Sequence, residues 1–188
     1  MKTILTKALI LTTILFLAYS YAYSQGDTGQ LGVNLTLPEI TLVDIEPGLA
    51  NSINFSISPA TRGGDLPTIE NTTNQTLWIN YTSALPVGLN SRSINAEISQ
   101  GTLPQGITLF LEASAYTGAG KGKFGISDGK IELSNQPQPI ISGIGSCYTG
   151  DGVNNGHQLT FSIEISDYSK VYAVDNAYYV VLYTITDN

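Results

Sequence analysis

Apolar side chains fall at every second position through much of this 188-residue chain. Leu31, Val33, Leu35 and Leu37 alternate with Gly32, Asn34 and Thr36, and the same period returns at Leu77, Ile79 and Tyr81 and at Ile94, Ala96 and Ile98. It recurs at Ile107, Leu109, Leu111 and Ala113, and again at Leu159, Phe161, Ile163 and Ile165. Successive strand side chains point to opposite faces, so this period predicts strands with one buried and one solvated face. Residues 178–186 carry β-branched and aromatic side chains on both faces, which predicts a strand buried centrally or on two sides. Shorter strands are predicted at 40–45, 53–57, 124–126, 130–133 and 139–144.

Turn formers separate these runs. Pro47-Gly48, Gly63-Gly64-Asp65, Asp128-Gly129 and Gly150-Asp151-Gly152 supply the φ angles that chain reversal needs. Beyond the amino-terminal region no stretch sustains an apolar stripe at helical spacing, so parallel crossover folds are excluded. The expectation is an all-β, two-layer antiparallel β-sandwich of nine or ten strands, with an immunoglobulin-like or pilin-like Greek key. Two segments echo each other, Ala115-Tyr-Thr-Gly-Ala-Gly and Ser146-Cys-Tyr-Thr-Gly-Asp-Gly. Both are read as glycine-rich strand connections, the echo being too short for a duplicated domain.

The amino terminus changes the picture from a fold to a destination. Lys2 and Lys7 precede an apolar run from Ala8 to Ala18, and Ala22-Tyr23-Ser24 places small residues where a signal peptidase reads. Residues 1–24 are therefore expected to be a removable signal peptide with a helical core. Residues 25–188 form one domain on this reading, with a loose start over 25–30. The apolar core is short for a membrane span, and no cysteine near the cleavage site offers a lipid anchor. The product is expected to be secreted or displayed at the cell surface, with the periplasm as the other destination, and to keep no transmembrane segment.

Losing Lys2 and Lys7 leaves six basic side chains against fifteen acidic ones. A surface so acidic, with its lysines and arginines scattered, lacks the basic patch that nucleic acid requires. Cys147 is the only cysteine, so no intrachain disulfide forms. It is read as a small buried hydrophobe, with an intermolecular bond as the alternative.

Catalytic and cofactor motifs are missing. Gly118-Ala-Gly-Lys-Gly-Lys lacks both the spacing and the helix of a P-loop, and Gly150-Asp-Gly-Val-Asn-Asn-Gly misses the dinucleotide fingerprint by one position. His157, the only histidine, is the sole imidazole that could activate Cys147, and one Cys with one His makes no zinc cluster. The Asp151-Gly-Val-Asn-Asn-Gly loop is a weak calcium candidate, because Val153 stands at the third position of the EF-hand pattern and Ser162 where its bidentate glutamate belongs. An enzyme is not expected. Glycan contact needs only exposed rings and amides, and Trp78 and Tyr81 are the aromatic candidates, with Tyr168, Tyr172, Tyr178 and Tyr179 behind them.

The segment Leu31, Val33, Leu35 and Leu37 admits two readings. It is the first strand of its own sandwich, or it completes a neighbour's sheet by strand addition. Together with the export signal, the Gly-Ile-Gly-Ser-Cys-Tyr-Thr-Gly-Asp-Gly stretch and the terminal Tyr-Tyr-Val-Val-Leu-Tyr-Thr-Ile-Thr-Asp-Asn strand, it resembles small exported fimbrial, pilin-like or surface-layer β-sandwich proteins of Gram-negative bacteria. The paired cysteines common in chaperone-assembled pilins are absent here. The resemblance implies a non-enzymatic structural or adhesive subunit that associates with itself or with other surface proteins. A carbohydrate- or small-ligand-binding module is the alternative.

Overall fold

The computed structural model describes residues 2–19, 31–48, 52–174 and 177–188. The chain divides into two compact units, 1–37 and 38–188. In the first, Lys2–Tyr19 forms a single helix, α1. Among the described residues, no helix is long and apolar enough to cross a membrane. The expected cleavage point after Ser24 and the loose start over 25–30 lie outside the described residues.

Leu31–Leu37 departs from expectation. It forms no strand, and Leu31, Val33, Leu35 and Leu37 are 79–90% exposed. Alternation specifies which face a strand would bury, but a strand exists only where a partner edge takes up its backbone groups.

The second unit is all-β. Its strands are β1 (Ile40–Glu46), β2 (Ile57–Ser58), β3 (Thr68–Ile69), β4 (Thr73–Ala84), β5 (Arg92–Gln100), β6 (Ile107–Ala113), β7 (Lys121–Ser127), β8 (Ile131–Glu132), β9 (Gln138–Tyr148), β10 (His157–Ile165) and β11 (Val180–Asp187). Nine of them share one antiparallel hydrogen-bonded network, while β2 and β3 pair only with each other. The network folds into two layers. One runs β8-β6-β10-β4-β1 and the other β11-β5-β9-β7, and they join where Thr82 and Ser83 pair with Tyr148 and Cys147. From β4 onward successive strands alternate between the layers, and no two consecutive strands are neighbours. Every connection from β4 to β11 therefore crosses between the layers of an all-β sandwich.

Alternation explains the core. Leu77, Ile79 and Tyr81 of β4, Leu109 and Leu111 of β6, and Leu159 and Phe161 of β10 face Ile94 and Ala96 of β5 and Ile140, Ile141 and Ile144 of β9. On β9 the pairing with β5 skips Ile140, and this bulge lets two successive isoleucines be buried. Residues 53–57 form a strand only at Ile57, yet Ile53 and Phe55 still pack against the core. The carboxy-terminal strand is not central. β11 pairs with β5 alone and ends its layer, with Val181, Tyr183 and Ile185 turned to the core and Leu182 exposed.

One charge is built into this frame. Arg92 is fully buried where the edge strands of the two layers approach, and it donates from Nε to Asp187 Oδ1 at 2.7 Å and from Nη1 to the Ile40 carbonyl at 2.8 Å. Nη2 pairs with Glu39, and Nη1 also reaches Ser83 Oγ at 3.2 Å. A single guanidinium therefore ties β1, β4, β5 and β11 together through charge-assisted bonds.

Candidate functional site

The two echoing loops meet at one corner of the sandwich, beside the junction of β4 and β9. Thr117 bridges to Gly156, and the Tyr116 hydroxyl donates to the Thr149 carbonyl at 3.1 Å while accepting from Gly120 N at 2.7 Å. Asn155 lies between the loops. Its Nδ2 donates to the Asp151 carbonyl at 2.8 Å and its Oδ1 faces Ala119 N at 3.4 Å. Gly118 and Gly150 have φ of 122° and 90°, and a Cβ on either would fall within 2.6 or 2.8 Å of Asn155 Oδ1. Glycine is required at both, for backbone conformation and for close approach.

Beneath the loops lies a buried polar cluster. Thr149 Oγ1 accepts from Tyr81 N at 3.0 Å and anchors the second loop to β4. His157, fully buried at the first position of β10, has Nδ1 2.7 Å from the Ser114 carbonyl and Nε2 2.8 Å from the Tyr81 hydroxyl. That hydroxyl also meets the Phe124 carbonyl. The Tyr81 and His157 rings lie 5.8 Å apart and nearly parallel, and Tyr116 stacks on Phe124 at 3.5 Å. Burial lowers the His157 pKa, opposed by the Ser114 and Phe124 carbonyls. It also raises the Tyr81 phenol far above its usual range, with Cys147 and Tyr116 adding to the effect.

This geometry bears on the thiol. Cys147 is buried, and desolvation pushes it up to about 11, so the reactive thiolate is disfavoured. Both ring nitrogens of His157 are occupied by Ser114 and Tyr81, leaving neither to take a proton from Cys147.

Above the cluster, on the outer face, is an open groove of about 470 Å³ lined by Leu42, Asp44, Asn80, Thr82, Tyr148 and Asp151 among others. Strand register builds it. Leu42 stands opposite Thr82, Thr82 opposite Tyr148 and Tyr148 opposite Lys121, so one row crosses β1, β4, β9 and β7, while Asp44 stands opposite Asn80 in the next row. Directly opposed residues share a face, which brings side chains from four distant segments together. Asn80 is 4% exposed, donates from Nδ2 to the Asn155 carbonyl, and leaves its buried Oδ1 without a partner among the described residues.

The residues singled out from sequence are distributed differently. Trp78 is half-buried on the outer face of β4, opposite Glu46 and Gln158. Tyr81 is buried, its ring in the core and its hydroxyl engaged by His157 and Phe124, and it also contributes to the lining of the groove. Tyr168, Tyr172 and Tyr178 are exposed outside the strands, and Tyr179 packs partly against the core. Asp151, the weak calcium candidate, lines the groove with Asp44, and among the described residues no group of three or more His, Cys, Asp or Glu is placed to hold a metal ion. Sequence reading passed over Tyr148, Asp44 and Thr82, since only the register places them together. No family model, curated protein or solved structure matches this chain.

Proposed function

We propose that this is an exported, non-enzymatic structural or adhesive protein of the cell surface, in which residues 31–37 of one copy add as a strand to the sheet of the next. The carrying observation is the pairing of opposites in that segment: strand-like alternation at Leu31, Val33, Leu35 and Leu37, and near-complete exposure of all four. Exposed apolar side chains at period two suit a sheet that this copy does not supply. An acceptor is available at β7, which pairs on one side with β9 and leaves its other edge free among the described residues, with Ile126 exposed along it. Export is supported by the basic start and apolar core of α1, and a non-catalytic role by the protonated thiol and the engaged imidazole.

Sedimentation of the exported protein across a hundredfold concentration range tests the reading. Concentration-dependent oligomers are expected, and they should vanish when Leu31, Val33, Leu35 and Leu37 are all changed to serine. A monomer at every concentration, or undiminished assembly of the serine variant, would refute strand addition.

A further inference from the structure

We infer that the groove between β1 and the 149–156 loop is a binding site for a short, uncharged oligosaccharide, with Tyr148 as its aromatic platform. This site does not depend on strand addition. Its volume of about 470 Å³ is in the range of ligand pockets, roughly 300–1,000 Å³, and it combines one large ring with a few convergent polar groups. The Tyr148 ring is 48% exposed although it stands on a core strand, so it can present a face to the C–H bonds of a sugar ring.

The polar groups specify the ligand chemistry. Asp44 and Asp151 have no ion-pair partner among the described residues; the three salt bridges there engage Glu39, Asp187 and Asp167. Unpaired carboxylates are strong acceptors for vicinal hydroxyls, and they repel phosphates and acidic sugars. A divalent cation fits less well, since among the described residues the two carboxylates have no third acidic or imidazole ligand beside them. Asn80, whose buried Oδ1 has no donor among the described residues, also lines the groove, and Thr82 adds a hydroxyl.

The site is also preorganised, which lowers the ordering cost of binding. Thr149 holds the loop to β4, Asn155 holds its interior, and Tyr148 stands in register between Thr82 and Lys121. Lys121, the basic residue of that row, is not among the residues lining the groove.

A glycan array carrying neutral and sialylated oligosaccharides, followed by calorimetric titration of the best neutral hit, tests the assignment. Neutral glycans should bind, Tyr148→Ala should weaken binding on the order of tenfold or more, and Tyr148→Phe should retain it. Asp44→Asn and Asp151→Asn should each weaken binding, EDTA should have no effect, and Trp78→Ala should leave it unchanged. Thermal unfolding of each variant confirms that the fold persists. Absence of any neutral hit, preference for sialylated glycans, loss of binding in EDTA, or sensitivity to Trp78→Ala without sensitivity to Tyr148→Ala would each overturn the proposal.

Discussion

Arg92 and His157 are both fully buried, yet they are accommodated by opposite means. Arg92 is matched by acids that reach water: the Glu39 and Asp187 side chains are 49% and 59% exposed, so only one member of each pair is fully desolvated. Among the described residues His157 has no acidic partner. Its partners are the Ser114 carbonyl and the Tyr81 phenol, and burial favours the neutral ring. The buried charge sits where the layers converge and the buried imidazole beside the loops, and only the first shares its desolvation penalty with solvent through its partners.

Breaking the Arg92 cluster should have the largest effect. Arg92→Ala removes a fully buried side chain, leaving a cavity and the Ile40 carbonyl and Ser83 without their donor, and a loss of about 3–5 kcal/mol is expected from urea unfolding. Asp187→Asn keeps an acceptor at a half-exposed position and should cost less than about 1 kcal/mol. Equal losses from both changes would show that the wetted acids, and not the buried guanidinium, dominate.

On the His157 side, Tyr81→Phe removes the hydroxyl between Nε2 and the Phe124 carbonyl, with an expected cost of about 1–3 kcal/mol. The cluster also predicts a pH dependence with a definite sign. Folding lowers the His157 pKa below its unfolded value of about 6.5, so the unfolded chain binds the proton more readily. The contribution is therefore fully present above about pH 6.5 and is lost as pH falls toward the folded value. Unfolding free energies measured from pH 8 to 5 should decline through that window, and His157→Gln should flatten the decline. Asp167, held down to about 2 by Ser169 and Lys170, titrates in a separate and lower window. As the only histidine, His157 can be followed directly by its NMR ring signals.

The smallest effect belongs to Tyr183, whose buried hydroxyl has no partner among the described residues. Tyr183→Phe should be neutral or stabilising by up to about 1 kcal/mol, the reverse of Tyr81→Phe. Thermal melts of the two variants compare a satisfied buried phenol with an unsatisfied one.

Much of the sandwich was legible because period-two alternation reports burial directly. The strand expected over 107–113 is β6, and the alternation at Leu159–Ile165 became β10. Leu31–Leu37 carries the same signal as Leu77–Tyr81 and forms no strand, because alternation cannot report whether an edge is present to pair with. The carboxy-terminal run reads as central from its composition, yet it ends a layer, since apolar residues on both faces do not specify which neighbours flank a strand. Tyr81 shares the apolar period of Leu77 and Ile79, whereas nothing local marks Tyr148 as a groove residue. Tyr81 falls on the inward parity of β4, and the pairing of β9 with β4 sets Tyr148 beside Thr82 on the outer face.

From its residues alone this chain determined an antiparallel β-structure, the identity of most core side chains, the glycine loops and the acidic balance, because each follows from local periodicity, backbone preference or charge. The tertiary structure decided the alternation of strands between layers, the burial of Arg92 and His157, and the row from Leu42 to Lys121 that builds the groove. Those features depend on register between segments far apart in the chain, and register is settled by the simultaneous packing of both layers.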